Sequence, residues 1–188
     1  MIKDFSHFKG NKLTRSEKIQ KKITEYIIKS KIPDEKRDSS VVWEQKHSAG
    51  VCQMGRLLAQ KRDLNIEIAE IICIMHDIYT IITGSYKNHG PEGAKIAQKI
   101  LMDSGDFSQK EIITITQAIS QHSNKDHFSN NPYAELVKDA DLLDCSLYEN
   151  SLGGYKLHKS DAIYKSTLER LSLIRKELNL PAQPILRK

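Results

Sequence analysis

The sequence predicts an all-α fold, a compact bundle of about six to eight helices. Three observations predict it. Apolar residues recur at intervals of three and four along nearly every long segment, the period of a helix with one buried face. No stretch alternates apolar and polar residues long enough to form a strand. Capping residues, prolines and glycines stand where such helices should begin and end.

Thr14 opens the first helix, with Glu17 three positions on, the capping-box pattern. Ile19, Ile23, Tyr26 and Ile27 follow to about Lys31, and Pro33 ends the segment. Ser39 or Ser40 opens a second, with Trp43, His47, Val51, Met54 and Leu58 on one stripe. Asn65 caps a third, which turns Ile68, Ile72 and Met75 inward. Gly90-Pro91-Glu92 reads as a helix start with proline at the first position. That helix continues through Ala94, Ala97, Ile100 and Leu101 to Gly105. Ser108 starts another, with Ile112, Ile115 and Ile119 inward, and Pro132 opens one through Leu136, Val137 and Leu143. A last helix spans roughly Asp161 to Leu178, after which Pro181 and Pro184 mark a loose tail. Gly153-Gly154 reads as a break between helices. The longer gaps at 79–89 and 123–131 each follow a histidine-bearing helix end, where functional loops tend to sit.

Without repeats or a low-complexity linker, residues 1–188 read as a single domain. Its motif-bearing core covers about 40–150, with a basic N-terminal helix at 13–31 and a C-terminal helical extension at 155–180. Lys and Arg number 29 against 24 Asp and Glu, for a net charge of +5. The charge is uneven. Residues 1–40 hold 11 basic and 6 acidic side chains, residues 155–188 hold 8 and 3, and residues 41–154 hold 10 and 15. An acidic middle between basic ends suits a bound divalent cation better than a polyanion, so no nucleic-acid partner is expected.

Apolar residues at 39% and charged residues at 28% exclude a disordered or fibrous chain. The longest apolar run, Ile71 to Met75, is too short to cross a membrane. Met1 to Phe5 lacks the apolar block of a secretory signal. Cys52, Cys73 and Cys145 are scattered, without a CxxC pair, and read as small apolar packing residues of a chain in a reducing cytoplasm.

Polar residues on apolar stripes carry the functional signal. His47 shares the face of Trp43, Val51, Met54 and Leu58. His76 follows Ile68 and Ile72 at helical intervals and is succeeded at once by Asp77. His122 extends the stripe of Ile115, Ala118 and Ile119, and Asp141 that of Ala134, Val137 and Ala140. A buried carboxylate without a partner costs several kcal/mol, on the order of other unpaired buried ions. One divalent cation would account for all five positions, because it supplies the charge the carboxylates need and neutral imidazoles ligate it.

The order His47, then His76-Asp77, then Asp141 within Lys138-Asp139-Ala140-Asp141-Leu142-Leu143-Asp144 resembles the signature of the HD-domain metal-dependent phosphohydrolase superfamily. His89 through Gly93-Ala94, Ala97 and Ile100-Leu101, and Ala118-Ile119-Ser120-Gln121-His122-Ser123, resemble further segments of its small members. The resemblance covers about residues 43–145. It implies an all-α HD-type fold and hydrolysis of a phosphate ester, on a nucleotide or a related small phosphorylated metabolite. It also implies His47, His76, Asp77 and Asp141 as ligands of a first metal. His89 and His122 are candidates for a second metal bridged by Asp77, or for phosphate contacts. Asp77 and His122 are the candidate catalytic residues. Mn, Fe, Co, Ni, Zn and Mg are not distinguished, and neither are one and two ions. His76-Asp77 continues as Ile78-Tyr79-Thr80, without the acidic residue or lysine that several subgroups carry three positions after the aspartate.

Lys125 and Lys87 are candidate substrate contacts, each near a candidate histidine in a loop, whereas Lys46 points elsewhere from its helix. Tyr148, Tyr155 and Tyr164 could line a substrate pocket or pack the last helices. Two other functions fit the same residues. Some relatives of this kind bind two irons and oxidise C–H bonds, and some bind a ligand without catalysis. A membrane partner is not expected, and self-association stays open.

Overall fold

A computed structural model of the protein describes residues 12–187; the amino-terminal pentapeptide and His7 lie outside them. The described residues form helices and no strand. In chain order the helices are α1 (Arg15–Ile28), α2 (Val41–Lys61), α3 (Ile66–Met75), α4 (Ile78–Thr83), α5 (His89–Ser104), α6 (Gln109–Gln121), α7 (Pro132–Leu147), α8 (Ser151–His158) and α9 (Asp161–Glu177). A short 3-10 turn, Asp34–Lys36, links α1 to α2.

The expected caps form. Thr14 and Glu17 complete a capping box at α1, as Ser108 and Glu111 do at α6. Ser40, Asn65 and Asn131 accept the first free amides of α2, α3 and α7. Helix α3 is the centre, packed by α1, α2, α6 and α7. Every residue from Ile71 to Met75 is buried, so this short helix is apolar on nearly all sides. Ile23, Val51, Leu58, Leu101, Ile115, Ile119 and Leu136 surround it with no exposed surface. Burying each such side chain contributes about 1.5–3 kcal/mol.

The structure corrects several local expectations. Part of the 79–89 gap is helical: Ile78 and Ile81, both fully buried, anchor α4, which closes on Gly84. Two buried isoleucines in six residues are too few to register as a period. Gly153 and Gly154 lie inside α8 and break nothing, because Asn150, in a left-handed conformation, has already turned the chain. The tail is docked. Leu186 is buried, the Arg187 amide donates to Ser146 O, and the Leu152 amide donates to Arg187 O. Cys52 and Cys73 pack in the core as expected, but Cys145 is half-buried beside the site.

The uneven charge is internally compensated. Arg15 in the basic first helix contacts Glu67 at 2.5 Å and Glu111 at 2.9 Å, and Lys18 contacts Asp106 at 2.9 Å. Arg15 and the Ser108 cap hold the Glu111 carboxyl down to about 2, below its ordinary 4.5. The folded state therefore binds that proton less readily than the unfolded chain. The resulting stabilisation is complete above about 4.5 and is lost as the pH falls towards 2. In thermal unfolding, Glu111→Gln should melt below the wild type at pH 6 and match it near pH 2; a gap independent of pH would contradict this.

Candidate metal centre

Six side chains from five helices and their ends converge. His47 comes from mid-α2, His76 and Asp77 from the break between α3 and α4, His89 from the first turn of α5, His122 from the end of α6, and Asp141 from mid-α7. The break lets two successive residues face one point. Gly90 lets α5 reach it: a Cβ there would lie 2.9 Å from Ser123 Oγ and 3.1 Å from Ser120 O, so a larger residue would push His89 away from His122. The two rings are 4.8 Å apart, centre to centre.

Asp77 is the hub. Its Oδ2 lies 3.3 Å from His76 Nε2 and 3.8 Å from His47 Nε2. Its Oδ1 lies 3.3 Å from His122 Nε2 and 3.5 Å from His89 Nε2. Asp141 Oδ1 is 3.5 Å from His47 Nε2. Within this cluster, His47, His76 and Asp77 form one compact donor group, and Asp77, His89 and His122 another.

Each imidazole is held by its other nitrogen. At 2.7 Å in every case, Nδ1 of His47 donates to Asp144 Oδ2, that of His76 to Cys73 O, that of His89 to Tyr86 O and that of His122 to Ile119 O. Carbonyl and carboxylate oxygens only accept, so the proton of each neutral ring sits on Nδ1. Nε2 is left with a lone pair facing the cluster, the tautomer that ligates metals. His122 Nε2 and Asp77 Oδ1 make the consequence plain. Both are buried, neither has a hydrogen-bond partner among the described residues, and they face one another as two acceptors. Such a pair needs a proton or a metal ion between its members. The donor set of imidazoles and carboxylates fits a divalent first-row metal.

The carboxylates and imidazoles of the cluster also shift one another's titration. Burial alone lowers an imidazole, but Asp77 and Asp141 outweigh it and bring His76 up to about 9. Burial, with repulsion from His76 and His89, pushes His122 down. Burial raises a carboxyl, yet His76 and His122 hold Asp77 well below the usual range.

The cluster forms one wall of a cleft of about 720 Å³, within the roughly 300–1,000 Å³ usual for small-molecule sites. His47, Asp77, His89 and Asp141 open onto the cleft, while His76 and His122 lie fully beneath its surface. Trp43, Tyr148 and Tyr155 form aromatic walls, and Lys125 and Lys159 supply cations. Lys125 Nζ pairs with Asp141 Oδ2. Burial would lower this ammonium, but Asp141 outweighs it and keeps it charged.

Of the sequence candidates, the structure brings together His47, His76, Asp77, His89, His122, Asp141 and Lys125. It does not bring Lys87, which is exposed and does not line the cleft. Lys46 does not line the cleft either, its ammonium lying 5.0 Å over the Tyr148 ring. Tyr148 and Tyr155 line the cleft, while Tyr164 packs towards the C-terminal tail. Sequence reasoning missed Asp144 behind His47 and the buried Glu44, one turn before it, bonded to Ser39. Spacing carried a signal for both: each lies three residues from a candidate ligand, on the same helix face.

An all-α fold with a buried cluster of histidines and aspartates at the wall of a cleft defines a candidate metal-dependent hydrolase. The family model for the HD domain matches residues 45–145, more than half of the chain, and the chain belongs to that family. HD domains are typically metal-dependent phosphohydrolases, although some are not catalytic. No curated protein and no solved structure matched the chain. Among the described residues, no helix is long and apolar enough to cross a membrane.

Proposed function

We propose that the protein hydrolyses a phosphate ester of a nucleotide or a related small phosphorylated metabolite, with one or two divalent cations. The facing, unpartnered acceptors His122 Nε2 and Asp77 Oδ1 carry this reading, because a bound cation would give both a partner. His47, His76, Asp77 and Asp141 would hold the first ion, and Asp77 with His89 and His122 a second. When bound, such a cation supplies Lewis-acid chemistry, acidifying water and offsetting charge on phosphoryl oxygens.

The remaining work falls to the chain. Asp77 reaches both halves of the cluster with its two oxygens and orients the attacking water. Lys125, on the cleft side of Asp141, offers its ammonium to the developing charge on the phosphoryl group. His122 is poorly placed to donate a proton to the leaving oxygen: its one proton is spent on Ile119 O, and its ring does not reach the cleft. Its place in this scheme is that of a ligand. The aromatic walls exclude water and suit a flat or apolar portion of the substrate.

Lys125→Met separates charge stabilisation from metal binding. It should lower kcat/KM for phosphate release by about 10²- to 10³-fold. Metal affinity should hold or tighten, because Asp141 loses a competing cation. Equal loss of both would contradict the assignment. A screen of nucleotides and other phosphoesters on metal-reconstituted protein tests the function itself. Two bound irons with oxygen-dependent turnover, in place of phosphate release, would make the centre an oxygenase.

A further inference from the structure

We infer that Asp144 is a positioning residue that holds His47 and makes its Nε2 a stronger donor to a metal, and that Gly50 exists to admit it. The inference rests on the reading of the cluster as a metal centre and deepens it. His47 differs from the other three histidines of the cluster. Those three donate Nδ1 protons to backbone carbonyls, whereas His47 donates to a carboxylate, Asp144 Oδ2, at 2.7 Å. A carbonyl fixes a ring; a carboxylate also pushes electron density into it and raises the basicity of the opposite nitrogen.

His47 is the ring where this matters most. It reaches both candidate ligand carboxylates, Asp77 and Asp141, and so ties α2 to the α3–α4 break and to α7. Trp43 stacks on its face at 5.3 Å, which leaves rotation about the ring's own axis to be set by Asp144. Asp144 is itself buried, one turn after Asp141 on α7.

Gly50 is the independent observation. It lies one turn after His47 on α2, and a Cβ there would stand 1.9 Å from Asp144 Oδ1 and 2.7 Å from its carboxyl carbon. Any side chain at position 50 would therefore displace the carboxylate from His47. A helix interior gives no other reason for glycine, which costs about 0.5–1 kcal/mol there relative to alanine.

The test titrates Co(II) alone into the full-length, metal-free chain and follows the visible ligand-field bands, beside thermal unfolding of each metal-free protein. Asp144→Asn keeps the shape and an acceptor but removes the charge. It and Gly50→Ala should each weaken Co(II) binding about 10- to 100-fold, with the saturated spectrum retained. The double variant should be no weaker than the weaker single, because both remove one interaction. Gly153→Ala, where a Cβ meets nothing within 4 Å, should bind as the wild type does. Wild-type affinity in Asp144→Asn, even with a lowered melting temperature, would reduce Asp144 to a packing role and overturn the inference. Additive losses would overturn the part given to Gly50. Where Gly50→Ala fails to fold, Asp144→Asn decides. A wild-type chain that takes up no Co(II) would instead overturn the metal centre, and this inference with it.

Discussion

Replacing Asp77 by alanine is expected to lower metal-dependent phosphate release by about 10³-fold or more. Its carboxylate faces all four imidazoles of the cluster. One oxygen faces His76 and His47, the other His89 and His122, all within 3.8 Å. Its loss removes a ligand, a bridge and the orientation of water together. Metal bound per chain, measured on the same sample, should fall with the activity. Asp77→Asn keeps the volume, and its similar loss would assign the effect to charge. A variant that releases phosphate at the wild-type rate would end the proposed scheme.

The largest stability loss is expected from Arg170→Ala in α9. Arg170 is almost fully buried, with Nε 2.5 Å from Asp139 Oδ1 and Nη2 2.5 Å from Glu135 Oε2. Its guanidinium also lies 4.8 Å over the Phe128 ring. Arg62 reaches Asp139 from the end of α2, at 2.6 Å, and Glu177 at 2.7 Å. Removing Arg170 takes one of two cationic partners from each of two buried carboxylates, leaving Asp139 to Arg62 and Glu135 to Lys138, at a cost of about 3 kcal/mol. For a chain of this length that lowers the melting temperature by about 10 °C. Arg170→Met refills the volume but not the charge and should fare little better unless Asp139 is also made neutral. A loss within about 1 kcal/mol, the scale of an exposed pair, would contradict the buried network.

The two predictions touch features of unequal legibility in the sequence. Asp77, with His47, His76, His122 and Asp141, stood out because each breaks an apolar stripe, and a period of 3.6 places such a residue inward without knowledge of the partner helices. The fold class followed from the same period, and the helix starts from Thr14, Ser39 or Ser40, Asn65, Ser108 and Pro132, which act within one turn. The Arg170 network was not legible. Asp139 looks like the solvated face of α7 until Arg170 of α9 reaches it, a contact about thirty residues away in sequence. Loops behaved likewise. Lys125 and Lys87 are alike in sequence, each a lysine near a histidine, but only Lys125 lines the cleft, to which the other loop gives Tyr86 instead. The docked tail was missed because its prolines signal a break in helix and say nothing of the packing of Leu186.

The net charge of +5 takes its meaning from this arrangement. Arg15, Lys18 and Arg170 from the basic ends pair with Glu67, Glu111, Asp106, Glu135 and Asp139 of the acidic middle. Asp77, Asp141 and Asp144, three more of the middle's carboxylates, stand beside the four imidazoles.

Quantifying bound metal and phosphate release together, on full-length protein stripped and then reloaded with single divalent ions, tests the central claim most directly. The account predicts one or two ions per folded chain, and release of phosphate from a nucleotide or other small phosphoester by the loaded form alone. A folded chain that takes up none of Mn, Fe, Co, Ni or Zn would contradict it.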